Sequence, residues 1–487
     1  MPFLFLRDFS LLLPSDWLTM IKRLLLAPLA LAVLLFNTHA HAQALDAPPP
    51  PLPTDTELEL ARIDNVAELM GRARQYYEDK DWRRYTYVLE RLTRIRPYNG
   101  GFQFKLAQAY AMQDMKTPAY DLLLKMQQQG LSYDPSTVPE AFEPVSSTQV
   151  YSYIVDALQR NAAPFGEGSV AMTLGGDVEL IESLAWDAGR GQLLVGSGRT
   201  GEVFRVSKDG NLERLAAPQP DAPWWGVLAL TADSERDALW LATTALPHFP
   251  GTTRETLGIS AILKLRLSDG KLLEHHLLPV DGRPHVIGAL TTAAGGNLYA
   301  LDSVSNVVYR IRDGQIEQLL SLPSATSLRG IAVNPNEQLL YLSDYELGML
   351  IADVQQQQVV SAEVASHNLG GIEHLSWHDG YLIAIQNYNQ PNRVMRMLLS
   401  PDGRSLKSMA PLESSKPAMQ RPTVGVVGGD RFYFIANSQR DDYGPDGRLF
   451  DGLQAEPRVI YQVSPSFALK AQQESGGPKA AEGNSGG

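Results

Sequence analysis

The chain has 487 residues, of which 44% are hydrophobic and 20% charged, so it can bury a sizeable core and has the length of two or three domains. Its formal net charge of −12 argues against nucleic acid as a partner, because phosphate binding needs a basic surface. The absence of cysteine excludes disulfides, thiolate catalysis, cysteine metal sites and acylated-cysteine anchors.

The N-terminus has the pattern of a secretory signal peptide, in which a basic start precedes an apolar run over residues 24–36. That run is too short to span a bilayer comfortably. We predict a cleaved signal peptide over residues 1–42, with cleavage after Ala42 or Ala44 and a possible true start at Met20. The alternative is an uncleaved membrane anchor. Cleavage would give a periplasmic or secreted protein without a membrane span.

A proline-rich linker over residues 43–56 precedes a predicted helical domain over residues 57–161. Aligning this domain with itself at an offset of about 34 residues pairs small, aromatic and apolar positions, which is the tetratricopeptide (TPR) pattern. The stretch at about 148–160 is predicted to be a capping helix. Such a domain serves as a protein-binding surface or as a structural support for the rest of the chain. The paired positions are Ala73 with Ala107, Tyr76 with Tyr110, Leu89 with Leu123, and Leu92 with Met126.

Residues 166–465 are predicted to form a six-bladed β-propeller, because strand pairs recur with turn signals at a spacing of roughly 40–50 residues. The last unit lacks an outer strand, and we predict that residues 170–174 supply it and close the ring. The fold class is therefore α plus all-β, with a disordered tail over residues 466–487. The predicted first strands begin near Glu182, Trp225, Ile287, Arg329, Glu373 and Thr423.

Blade one opens with the phrase Glu182-Ser183-Leu184-Ala185-Trp186-Asp187. Six blades with this opening resemble the SMP-30/gluconolactonase family of NHL-type propellers. The whole chain resembles exported bacterial proteins that join TPR helices to such a propeller. In the lactonases, a divalent cation lies at the mouth of the central channel and polarises the lactone carbonyl. The resemblance implies cation ligands at the first-strand starts: a glutamate in blade one, asparagines in later blades and an aspartate in blade five.

This sequence keeps only part of that ligand set. Glu182 and Glu373 are carboxylates at the blade-one and blade-five positions, whereas Ile287 and Arg329 replace asparagines. We therefore predict that Arg329 pairs with Glu182 and Glu373 and that no metal or other cofactor binds. Alternatively, the register is off by one or two residues and these side chains are solvated. If Ca²⁺, Zn²⁺ or Mn²⁺ does bind, Glu182 and Glu373 would hold it and would be the catalytic candidates.

Two long loops, at about 244–260 in blade two and 437–457 in blade six, are predicted to lie over the channel mouth beside Glu182. An aromatic and amide-rich rim suits a small organic or sugar-like ligand, although simple loop packing explains it equally well. The predicted ligand-binding residues are Glu182, Trp225, Arg329, Glu373, Asn387 and Tyr388.

These patterns favour an exported propeller protein that binds a small molecule or a protein partner at its channel mouth. One alternative is a metal-dependent lactonase or esterase. Another is a periplasmic assembly scaffold that acts through its TPR helices.

Overall fold

The computed structural model describes residues 54–176, 178–362 and 367–467. The predicted signal peptide, most of the predicted linker and nearly all of the predicted tail lie outside the described residues. The chain divides into two compact units, residues 1–62 and 63–487. In the first unit, the described part forms helix α1 (Asp55–Leu60), which begins with a capping box between Thr54 and Glu57.

The second unit begins with the remaining helices, most of which start at a side-chain cap. Asn65, Asp81, Asn99 and Thr148 each accept a hydrogen bond from a backbone N–H in the first turn of the helix they precede. The helices are α2 (Val66–Glu78), α3 (Trp82–Ile95), α4 (Gly100–Met112), α5 (Lys116–Gln128), α6 (Pro139–Phe142) and α7 (Gln149–Asn161), with 3₁₀ turns at Pro135–Thr137 and Glu143–Val145.

The helices pack in sequence, α2 on α3, α3 on α4 and α4 on α5, with α7 against α5. Small residues let the backbones approach closely: Ala107 and Ala119 are fully buried. The region predicted to be helical is confirmed as helical, and the predicted capping helix corresponds to α7. Its assignment to the TPR class stays a prediction.

The rest of the unit is a six-bladed β-propeller of four-stranded antiparallel sheets, as predicted. In blades one to five the strands follow one another from the channel outwards. The strands of blades one to three are β2 (Ile181–Asp187), β3 (Gln192–Ser197), β4 (Val203–Val206), β5 (Leu212–Ala216), β6 (Gly226–Asp233), β7 (Ala238–Thr244), β8 (Ser260–Arg266), β9 (Leu272–Leu277), β10 (Ile287–Thr292), β11 (Leu298–Asp302), β12 (Val307–Arg312) and β13 (Gln315–Ser321).

Blade six is assembled from both ends of the propeller sequence. Its outermost strand is β1 (Ser169–Leu174), which pairs antiparallel with β24, so the predicted ring closure is confirmed. The strands of blades four to six are β14 (Leu328–Val333), β15 (Leu339–Asp344), β16 (Gly348–Asp353), β17 (Val359–Ser361), β18 (Ile372–His378), β19 (Tyr381–Gln386), β20 (Arg393–Leu399), β21 (Leu406–Ser414), β22 (Gly425–Gly428), β23 (Arg431–Ile435) and β24 (Arg458–Val463).

The core lies between neighbouring blades, where apolar side chains of the inner three strands interdigitate. For example, Leu194 of blade one packs with Val227, Leu241 and Leu263 of blade two, and all four are fully buried. Burial of this kind contributes about 25 cal/mol per Å² of apolar surface, so the ring is a rigid support for the loops at its ends. These loops therefore hold fixed positions around the channel.

The helices contact the propeller along a polar seam formed by the N-terminus of α4 and blade five. The Gly100 N–H donates to Asn389 Oδ1 at 2.8 Å, and Asn389 Nδ2 donates to the Tyr98 carbonyl at 2.9 Å. Asn99, which caps α4, donates its side-chain amide to the Tyr388 hydroxyl. The cap of one helix is thus completed by a propeller loop.

A buried arginine completes the seam at the end of α5. Arg393 is 6% exposed, and its Nε donates to Gln386 Oε1 at 2.8 Å. Its Nη1 donates to the carbonyls of Gln129 and Gly130 at 3.1 and 3.3 Å. These carbonyls have no partner within the helix, so the guanidinium supplies the bonds that the helix end lacks.

Candidate functional site

A β-bulge at the start of most first strands aims a side chain at the channel mouth. The pairing register shifts between Ile181 and Ser183 in blade one and between Ile372 and His374 in blade five. The extra residues are Glu182 and Glu373. A bulge interrupts the alternation of side chains and can redirect one of them, which is why bulges are frequent beside functional sites.

The same shift in blades two, three and four identifies the residues that correspond to Glu182 and Glu373 at the channel mouth. Blades two, three and four shift around Leu228, Gly288 and Arg329. The structure therefore brings Glu182, Arg329 and Glu373 to one mouth, as the sequence pattern indicated. The predicted mouth residues of blades two and three, Trp225 and Ile287, are corrected to Leu228 and Gly288. The bulge lies within the strand and not at its first residue.

The cation that neutralises Glu373 is Arg440, from the blade-six loop. Arg440 Nη1 lies 2.9 Å from Glu373 Oε1, and the Glu373 side chain is only 8% exposed. The negative charge of Glu373 is the largest cause of the raised pKa of Arg440, and the charge of Glu182 raises it further. The predicted pairing of Glu373 with Arg329 is thus corrected: among the ion pairs of the described residues, Arg440 takes that role.

Glu182 lies deep in the mouth and is bound by hydroxyl groups. Ser438 Oγ donates to Glu182 Oε1 at 2.7 Å, and Thr423 Oγ1 lies 3.5 Å from Glu182 Oε2. Burial raises the pKa of the Glu182 carboxyl above its usual range, although the nearby Arg440 and the hydrogen bond from Ser438 act in the opposite direction. A carboxyl in this environment can accept a hydrogen bond or exchange a proton with a ligand.

Arg329 is the mouth arginine whose guanidinium has no polar partner. Its Nε is buried and unbonded, and its side chain makes no hydrogen bond or ion pair with any residue in the described ranges. Its guanidinium carbon lies 5.4 Å from the centre of the Tyr345 ring, which is a cation–π contact. The Tyr345 ring is fixed because its hydroxyl donates to Asn387 Oδ1 at 2.8 Å.

The two long loops meet over the mouth, where the sequence placed them. Arg199 of blade one joins them, since its Nη1 donates to the carbonyl of His248 at 2.7 Å and to that of Gly447 at 2.9 Å. Gly447 has a φ of +73°, and a Cβ there would lie 2.1 Å from the Pro247 carbonyl oxygen. Only glycine permits this approach.

Below the loops, a cavity of about 630 Å³ follows the channel. Its mouth holds charged groups, its middle is apolar and its far end carries two tryptophans, Trp186 and Trp377. Small-molecule sites have this volume and this mixture of apolar walls with a few polar groups. The lining includes Glu182, Arg329, Glu373, Arg440, His248, Leu184, Leu230, Leu290, Ile331, Leu375, Trp186 and Trp377.

Three predicted ligand-binding residues lie away from this cavity lining. Trp225 packs against the hydrophobic cluster between blades one and two. Asn387 bridges the Tyr345 hydroxyl and the Pro422 carbonyl, and Tyr388 contacts Asn99 at the seam. Asn387 and Tyr388 therefore support the mouth and the seam.

Sequence reasoning missed Arg440 and Ser438, which come from the blade-six loop. The available signal was the charged run Arg440-Asp441-Asp442 within a loop predicted to lie beside Glu182. The structure folds this run into a 3₁₀ turn, and the Arg440 N–H donates to Ser438 Oγ at 3.1 Å. Nothing in the repeat pattern indicates which loop residue turns inward.

The mouth residues do not fit a hard divalent cation. Such ions take six or more oxygen ligands, usually with several carboxylates or amides. Here Leu228, Gly288 and Arg329 occupy bulge positions of three blades, and Arg440 is bonded to Glu373. Within residues 54–176, 178–362 and 367–467, no cluster of three or more histidines, aspartates and glutamates could hold a metal ion.

No protein-family model matches this chain, and no curated protein matches it. Among the helices of the described residues, none is long and apolar enough to cross a membrane.

Solved structures match the propeller fold at low identity. A putative oxidoreductase (glucose dehydrogenase) from Thermus thermophilus is 16% identical, with a TM-score of 0.41, over 62% of this chain and all of that one. A catalytically inactive virginiamycin B lyase from Staphylococcus aureus, solved with quinupristin, is 14% identical, with a TM-score of 0.41, over 62% of this chain and 99% of that one. The WD40 propeller domain of Doa1 is 13% identical, with a TM-score of 0.38, over 61% of this chain and 97% of that one.

Proposed function

We propose that this is an exported protein that binds a small organic ligand in the mouth of its propeller channel, beside a helical region of TPR type. The observation that supports this most strongly is the cavity of about 630 Å³, whose charged mouth opens onto apolar walls. Propeller blades surround a central channel, and in this protein charged side chains line one end of that channel. The two loops joined by Arg199 give the site a fixed entrance.

The mouth favours a ligand with both polar and apolar parts. Glu182 can accept a hydrogen bond from a ligand hydroxyl or amine, while Leu290 and Ile331 can contact an apolar body. Binding energy would come from the apolar contact, and orientation from the few polar groups.

Binding can be tested by filling the cavity. We expect Leu290→Trp, which places a larger side chain into the channel, to abolish the binding of any compound that stabilises the wild-type protein in a thermal-shift screen of organic acids, amides and sugars. Leu273→Trp is the matched control, because Leu273 lies on outer strand β9 and is 47% exposed. A screen without hits, or hits that Leu290→Trp leaves unchanged, would contradict the proposal.

The rival function is that of a lactonase-like hydrolase, as implied by the family resemblance. The contact of Arg440 with Glu373 disfavours it, since a fixed cation takes the place where a metal would need a free carboxylate. A lactone panel assayed with and without Ca²⁺, Zn²⁺ and Mn²⁺ tests this alternative. Metal-dependent turnover that Glu182→Gln abolishes would favour the hydrolase.

Partner binding by the helices is a second candidate function. A groove of about 440 Å³ lies among α2, α3, α4 and α6, and Met70 and Tyr77 at its edge are about half exposed. Exposed apolar side chains around a groove are typical of protein-binding surfaces. Capture of a partner by the wild-type chain, lost on Tyr77→Ser but kept on Tyr153→Ser, would support this function.

A further inference from the structure

Arg329 lines the channel mouth without forming an ion pair with any described residue. Its guanidinium lies over the Tyr345 ring, and none of its N–H groups donates a hydrogen bond to a described residue. The buried Nε has no acceptor among the described residues. A buried, unbonded donor of a charged group is costly. Other arginines of the described residues, among them Arg396 and Arg458, also have such a nitrogen, but Arg329 is the one that lines the cavity, where a ligand could supply the missing partner.

Arg440 and Arg458, the other two arginines near the mouth, each have polar partners, although Arg458 Nε is also buried without one. Arg440 is paired with Glu373 at 2.9 Å. Arg458, which is 1% exposed, donates to the Asn437 carbonyl at 3.1 Å and to Gln439, and it lies near Glu182. Both therefore have polar partners and acidic neighbours, whereas Arg329 forms no hydrogen bond or ion pair with a described residue.

The tyrosine beneath Arg329 is held so that the guanidinium keeps its position. The Tyr345 hydroxyl donates to Asn387, and the Tyr345 ring packs on the Tyr388 ring with 4.9 Å between their centres. The Asn387 amide in turn donates to the Pro422 carbonyl at 2.7 Å. A binding group that is already in place loses little entropy when the ligand arrives.

The chemistry of the missing partner can be deduced from this geometry. A guanidinium edge presents parallel N–H groups that match the two oxygens of a carboxylate. Glu182 and Glu373 line the same mouth and would repel a ligand with two or more negative charges. The walls below Arg329, including Ile331 and Leu290, are apolar and suit a hydrocarbon body.

We propose that the ligand of this site is an amphipathic monocarboxylate, with its carboxylate on Arg329 and its apolar body in the channel. This inference rests on the proposed small-molecule binding and specifies the class of ligand.

The test compares octanoate with octanamide, its uncharged counterpart, by calorimetric titration of the full-length mature protein. We expect the wild type to bind octanoate at least tenfold more tightly than octanamide. Arg329→Gln should weaken octanoate at least tenfold and leave octanamide within twofold. Arg329→Lys keeps the charge but not the parallel N–H pair, so its affinity for octanoate should lie between that of the wild type and that of Arg329→Gln.

The matched control is Arg312→Gln, because Arg312 is an exposed arginine at the end of β12 and does not line the cavity. It should bind octanoate like the wild type. Circular dichroism and the melting temperature of each variant check that it is folded. If Arg329→Gln does not fold, Arg329→Lys carries the comparison.

The outcomes separate this inference from the proposed function. Equal binding of octanoate and octanamide, or octanoate binding that is insensitive to Arg329, overturns the monocarboxylate. So does the failure of both probes to bind. In each case the Leu290→Trp comparison with the compound screen still decides whether the channel binds a small molecule at all.

Discussion

Two arginines of the propeller differ in their hydrogen bonding. Arg393, at the seam with the helices, donates to Gln386 and to two helix-end carbonyls. Arg329, at the channel mouth, makes no polar contact with the described residues. At the seam the guanidinium holds two parts of the chain together, whereas at the mouth it has no hydrogen-bond partner among the described residues and is available to a ligand. The contrast separates groups that serve the fold from groups available for binding.

The seam should show the larger loss of stability. Arg393→Ala leaves the carbonyls of Gln129 and Gly130 without a donor and opens a cavity, so we expect the free energy of unfolding to fall by about 3 kcal/mol. Denaturant titration of the wild type, Arg393→Ala and the exposed control Arg312→Ala measures the difference. A loss as small as that of Arg312→Ala would mean that the Arg393 hydrogen bonds at the seam do not stabilise the fold.

His374, in the channel wall, should make the free energy of unfolding depend on pH, which neither arginine does because both stay charged. Burial lowers the pKa of His374 from 6.5 to about 4, and its Nε2 lies 2.8 Å from Ser376 Oγ. The stabilising effect of the neutral imidazole is complete above pH 6.5 and is lost as the pH falls towards 4, because the unfolded chain binds the proton first. We expect a loss of about 2 kcal/mol between pH 7 and pH 4.5.

His374→Gln should remove this part of the acid sensitivity. Unfolding free energies of both proteins at pH 7 and pH 4.5 give the comparison, which cancels the contributions of the other histidines. The same loss in both proteins would show that His374 titrates at its ordinary pKa.

A single neutral hydrogen bond at the seam should have a smaller effect. Tyr388→Phe removes the hydroxyl that accepts from Asn99, and we expect a loss of about 1 kcal/mol. Tyr153→Phe is the control, since Tyr153 is 60% exposed. Chemical unfolding monitored by tryptophan fluorescence measures both variants. If the free energy of unfolding of Tyr388→Phe equals that of the wild type, the bond to Asn99 does not stabilise the seam, and Arg393 and Asn389 are left as its stabilising residues.

The mouth arginine should have the smallest effect on stability. Arg329→Gln removes no hydrogen bond or ion pair with the described residues, so we expect a change within about 0.5 kcal/mol, in either direction. The same titrations supply this value. A loss similar to that of Arg393→Ala would mean that Arg329 serves the fold, and the contrast between the two arginines would disappear.

The sequence predicted the fold well because strand repeats and ring closure are periodic features of the chain. Strand β1 was expected from the missing outer strand of blade six, and the two loops were placed over the mouth from blade order alone. Glu182, Arg329 and Glu373 reach the mouth because bulges recur at equivalent positions.

The features that escaped prediction depend on contacts between distant segments. Tyr388 and Asn389 are used by the helix α4 cap, which no propeller repeat encodes. Arg440 reaches Glu373 through an irregular loop whose 3₁₀ turn is set by local hydrogen bonds. Periodicity predicts where a loop starts, whereas the direction of its side chains depends on packing that appears only in three dimensions.

The most direct test of the account is a crystal structure of the protein with octanoate. We predict that the carboxylate lies within hydrogen-bonding distance of the Arg329 guanidinium and that the hydrocarbon chain follows Ile331 and Leu290 down the channel. An empty channel at saturating octanoate, or a carboxylate bound away from Arg329, would contradict the account.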